Sequence, residues 1–61
     1  MTKQEIENLI KSMKTGEHEY IGFSTVLEYK GNSGISVCDN GDEVIFDSPK
    51  DAAEFAKEAL T

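Results

Sequence analysis

Apolar residues along this chain follow two periodicities, and the switch between them divides it into elements. Ile6, Leu9, Ile10 and Met13 recur at i, i+3, i+4 and i+7, one narrow stripe on a helix. The stripe predicts an amphipathic helix over residues 2–14. Thr2 and Glu5 have capping-box spacing, in which the hydroxyl accepts from the backbone while the carboxylate reaches back. Lys11 and Lys14 lie near the C-terminal end, where cations suit the helix dipole. Gly16 is placed to supply a left-handed stop.

From Glu19 to Lys30 the period becomes two, which predicts one long strand. Ile21, Phe23, Thr25, Leu27 and Tyr29 take one face; Tyr20, Gly22, Ser24, Val26, Glu28 and Lys30 take the other. Gly31, Asn32, Ser33 and Gly34 form a turn cluster. Ile35 and Val37 then alternate with Ser36 and Cys38 in a second strand. Asn40-Gly41, between Asp39 and Asp42, is the strongest hairpin signal in the chain. A third strand is expected over Glu43 to Asp47.

The register of these strands can be tested by arithmetic. A two-residue turn at Asn40-Gly41 sets Val37 opposite Val44 and Ile35 opposite Phe46. A three-residue loop, Gly31 to Ser33, sets Tyr29 opposite Ile35 and Leu27 opposite Val37. Both hairpins thus bring the same apolar residues to one face, and a slip of one residue in either would destroy the agreement.

Ser48 to Leu60 predicts a second helix. Ser48 suits the N-cap, Pro49 the first helical position, and Asp51 the positive end of the dipole. Its expected buried stripe is Ala52, Phe55, Ala56, Ala59 and Leu60. The order is α-β-β-β-α over a single domain, 1–61, without linker or repeat. Packing both helices on the apolar sheet face gives a two-layer α+β fold built on a three-stranded antiparallel meander. The other face, with Tyr20, Ser24, Val26, Glu28, Ser36, Cys38, Glu43 and Ile45, is left open.

Composition narrows the functional classes. In a chain of 61 residues roughly 60% of the unfolded surface can be buried, so the core is thin. The formal charge is −6, and all six basic residues are Lys. They are scattered, so there is no cationic stripe to neutralise phosphates, and direct nucleic-acid binding is not expected. Anionic membrane surfaces are disfavoured for the same reason. No apolar run approaches the ~18 residues of a membrane span, and no secretory apolar region is expected at the N-terminus, so the expected setting is cytoplasmic. An acidic surface does steer basic proteins.

Candidate chemistry is sparse. His18 stands in Glu17-His18-Glu19 with no second nitrogen or sulfur donor nearby, a poor start for a transition-metal site. Cys38 faces away from the core between Val26 and Glu43, and a neighbouring carboxylate opposes thiolate formation. Asp39, Asp42 and Glu43 converge at a hairpin tip and could hold a hard cation weakly, but they do not follow the twelve-residue calcium-loop pattern; turn chemistry accounts for them better. Gly31-Asn32-Ser33-Gly34 joins two strands and precedes no helix, unlike a phosphate loop. No catalytic triad or dyad can be assembled, so neither catalysis nor a cofactor is expected.

What remains is surface. The sequence reads as a non-catalytic protein-interaction module, of the small acidic kind common among bacterial and phage accessory proteins. It is expected to bind a partner protein through the open face or the edge of the first strand. Tyr20, Val26, Glu28, Cys38, Glu43 and Ile45 are the candidate contact residues. The stretch Tyr20 to Ser24 is expected to lack a partner within the chain and so to invite strand addition. Two alternatives stand beside this reading. One is an acidic inhibitor occupying the nucleic-acid-binding surface of a basic protein, which requires carboxylates clustered on one face. The other is a homo-oligomeric structural protein, a dimer through the first strand.

Overall fold

A computed structural model describes residues 1–60. Helix α1 spans Lys3–Ser12 and is capped as expected: the Thr2 hydroxyl accepts from the Glu5 N–H at 3.1 Å, and the Thr2 N–H donates to Glu5 Oε1 at 2.7 Å. The helix ends before Gly16. Met13 is already extended (ψ 147°) and directs a buried side chain into the core. Gly16 instead belongs to a turn in which the Glu17 N–H donates to the Lys14 carbonyl.

The strands are β1 (His18–Tyr20), β2 (Thr25–Tyr29), β3 (Ile35–Asp39) and β4 (Asp42–Phe46), in one antiparallel sheet of order β1-β2-β3-β4. The expected meander is therefore four-stranded. The run over 19–30 is not one strand but a hairpin that folds at residues 21–24. Glu19 pairs with Leu27 and Tyr20 with Val26, and the Ile21 N–H donates to the Thr25 carbonyl at 3.0 Å. Tyr20 thus has an in-chain partner, and the expected unpaired stretch of the first strand does not exist. Ile21 turns in toward the core while Gly22 lies against Leu60. Phe23, expected on the apolar face, is thrown fully into solvent at 106% relative exposure.

The other registers stand as the arithmetic set them. Leu27 pairs with Val37, Tyr29 with Ile35, Val37 with Val44 and Ile35 with Phe46. A single 3-10 turn, Gly31–Ser33, closes the middle hairpin. Asn40 (φ 55°) and Gly41 (φ 87°) close the last one with two left-handed residues, the geometry that matches strand twist.

Helix α2, Pro49–Ala59, is capped by the Ser48 hydroxyl, which accepts from the Asp51 N–H at 3.1 Å. It packs against α1, β3 and β4. Ala52, Ala53 and Ala56 are fully buried on it, and such small side chains let two neighbouring layers approach closely. Ala53 joins the expected stripe, whereas Ala59 is only half-buried. Ile6, Ile10, Leu27 and Val37 are the largest side chains wholly removed from solvent, each contributing about 1.5–3 kcal/mol relative to exposure. Phe46 and Phe55 close one end of this core with ring centroids 5.3 Å apart. The molecule measures 28 × 24 × 16 Å, the shortest dimension being one helix layer on one sheet.

Candidate protein-interaction face

Alternation along four strands, in register, sorts side chains into rows across the sheet. One row on the face away from the helices is Tyr20, Val26, Cys38 and Glu43; the next is His18, Glu28, Ser36 and Ile45. All six candidate contact residues lie in these two rows. His18 and Ser36 complete them, and Lys30 reaches over from the end of β2.

The first row is apolar for three of its four positions. Tyr20 is 76% exposed at the edge, Val26 and the free thiol of Cys38 are half-buried, and Ile45 adds 46% exposure in the neighbouring row. Beyond Tyr20, the hairpin turn carries Phe23, an exposed aromatic that the sequence reading assigned to the core. The signal for it was present: Gly22 and Ser24 flank Phe23 with small, turn-compatible residues. Unbroken alternation through Ile21, Phe23 and Thr25 hid it.

The charged residues of the face are internally matched. Glu43 Oε2 accepts from the Ser36 hydroxyl at 2.6 Å and from Lys30 Nζ at 3.1 Å. The Ser36 hydrogen bond first, then Lys30, holds the Glu43 carboxyl below the usual carboxylate range. The same hydrogen bond and charge raise Lys30 above the usual lysine value. Ser36 itself is 2% exposed, beneath the carboxylate to which it donates. Glu28 Oε1 lies 3.6 Å from His18 Nε2, an ion pair whenever the imidazole is protonated. Sequence reasoning placed Ser36 and Lys30 on this face but missed that they bind Glu43, because the contact runs diagonally across three strands.

Parity separates the acidic tip. Glu43 points to the open face, whereas Asp39 and Asp42 oppose each other on the helix side, and Asp39 Oδ1 accepts from the Thr25 hydroxyl at 3.1 Å. The three do not converge. Among the described residues no group of three or more His, Cys, Asp or Glu side chains is arranged to hold a metal ion. Cys38 sits between Val26 and Glu43 as expected, while His18 is two strands away on β1.

Carboxylates elsewhere are spread over both helices, the loop before β1 and the β4 edge rather than gathered on one face. An open depression of about 650 Å³ lies on the helical side, with Phe46 and Phe55 among its lining residues and none of the six candidates. Its charged rim is partly self-satisfied: Lys3 pairs with Glu54 at 3.2 Å, and Lys57 donates to the Met1 carbonyl at 3.0 Å. No helix among the described residues is long and apolar enough to cross a membrane. Comparison with protein families, curated proteins and solved structures finds no match to this chain.

Proposed function

We propose that this chain is a non-catalytic protein-interaction module whose open sheet face, led by Tyr20 and Phe23, docks on a partner protein. The observation that carries the reading is the placement of these two aromatics. The chain has five Phe and Tyr residues in all, and two of them project from one hairpin at 76% and 106% exposure. Both helices are engaged on the opposite side. Exposed aromatics beside an aliphatic strip, rimmed by paired charges, have the composition of an interface core.

The matched charges favour this use of the face. With Glu43 held by Lys30 and Ser36, and Glu28 near His18, few ionic groups lose solvation without a partner when the face is covered. The formal charge of −6 favours a basic partner through steering rather than through direct contacts here.

Affinity capture from a cell lysate with the immobilised chain tests the reading, run beside Tyr20→Glu and Phe23→Ser. Neither side chain supports the core, so circular dichroism should show both variants folded. A protein retained by the native chain and lost from both variants is the expected result. Equal retention by all three would overturn the role of this face.

A further inference from the structure

We infer that the free edge of β4 accepts an extended, cationic segment of another protein as a fifth strand. The inference rests on the reading of this chain as a protein-interaction module, and it concerns a different surface from the aromatic hairpin.

The sheet has two edges, and they are unequal. β1 offers three residues, whereas β4 offers five, all in register with β3 and four of them exposed. In the tight Asn40-Gly41 hairpin Asp39 and Asp42 exchange hydrogen bonds, so Val37–Val44 and Ile35–Phe46 do too, by alternation. Glu43 and Ile45 therefore turn their N–H and C=O groups away from β3, toward the open edge. Val44, 38% exposed on one side of the sheet, and Ile45, 46% exposed on the other, would give an added strand apolar neighbours on both faces.

Charge selects the occupant. The edge strand carries Asp42 and Glu43, Asp47 follows it in the bend before α2, and residues 42–47 include no cation; of the three carboxylates only Glu43 is met by Lys30. A second copy pairing antiparallel in the register centred on Ile45 would bring Glu43 up to the bend at Asp47 of that copy, twice, whereas the register centred on Val44 sets Glu43 against Ile45. Like charges brought together disfavour the first register, and two chains of charge −6 repel at a distance in either. The net charge that opposes a second copy, together with the carboxylates at this edge, suits a strand with Lys or Arg facing residues 42, 43 and 47 and aliphatic residues facing 44 and 45. Strand addition of this kind draws affinity from main-chain hydrogen bonds and selectivity from the alternate side chains.

The probe is an acetylated, amidated peptide, Lys-Thr-Val-Val-Lys-Lys, with Glu-Thr-Val-Val-Glu-Glu as its control, titrated into the full chain and followed by amide NMR. Slowed hydrogen exchange at the Glu43 and Ile45 amides is expected, with binding that weakens as salt rises. A synthetic chain N-methylated at Ile45 should stay folded, because that N–H serves no internal ladder, and should bind about tenfold more weakly. Asp42→Asn with Asp47→Asn is the second arm and should weaken binding without touching the backbone. Absence of binding, equal binding of the Glu peptide, or unaltered binding to the N-methylated chain would each overturn the inference. Shifts confined to Tyr20, Phe23 and Val26 would overturn it while leaving the aromatic face intact as a docking surface.

Discussion

At φ +103°, Gly34 holds a backbone conformation that a side chain strains, and a Cβ there would come within 2.6 Å of the Phe46 carbonyl oxygen. Gly34→Ala is expected to lower the unfolding free energy by about 3 kcal/mol. That is a large share of what a chain this short possesses, at ~0.05–0.15 kcal/mol per residue. Urea denaturation measures it, and an unchanged midpoint would contradict the geometry. Phe23→Ser, by contrast, should shift stability by no more than about 0.5 kcal/mol, since the ring touches solvent on all sides. The sequence marked these two residues unequally. Gly34 stood in a visible turn cluster, whereas Phe23 matched the core alternation and was misplaced. A period-two pattern reports which face a residue would take in a strand; it does not report that the strand continues.

Elements that close on themselves were the most legible. Both helices begin at caps written in the sequence, Thr2 with Glu5 and Ser48 with Pro49, and the structure forms both. Ser48→Ala should destabilise the fold by about 1 kcal/mol, read from thermal or urea unfolding, and no change would mean that α2 is held by its buried alanines alone. The pairing of Leu27 with Val37 and of Val37 with Val44 followed from two turns agreeing on one face. The hairpin at 21–24 did not, because it lacks a two-residue turn signal; its fold depends on Ile21 reaching the core and on Leu60 covering Gly22, both tertiary events. The diagonal Lys30–Glu43–Ser36 contact was equally beyond a reading of single strands.

That contact gives the sheet a pH dependence of known sign. The Glu43 carboxyl titrates below its ordinary value in the folded state, so its contribution is complete above the unfolded-state value and is lost as pH falls through the folded one. For Lys30, raised when folded, the contribution is complete below the unfolded-state value and lost as pH climbs through the higher folded one. Urea midpoints measured from neutral to acid pH should fall less steeply in Glu43→Gln than in the native chain. Parallel curves would show that Ser36 and Lys30 do nothing for the carboxylate.

At the scale of the molecule, one thin core lies between two helices and one sheet face, and the other sheet face is left to the surroundings. A chain that uses small alanines to bring α2 against α1 and the sheet has little more apolar area to bury on that side. Tyr20 and Ile45 remain exposed on the far side and Phe23 in the turn beside it, while the formal charge of −6 opposes covering them with a second copy. Charge was legible from composition, and the open face from alternation. Where the carboxylates lie was not, because parity divides neighbours such as Asp42 and Glu43 between opposite faces.

The central claim is that this face is kept for a different protein. Molar mass by light scattering, from low to high micromolar concentration, tests it most directly, with Tyr20→Glu and Val26→Glu measured alongside. The account predicts one chain, 6.7 kDa, at every concentration for the native protein. A native dimer that either substitution dissolves would contradict it, for the face would then be occupied by the protein's own copy.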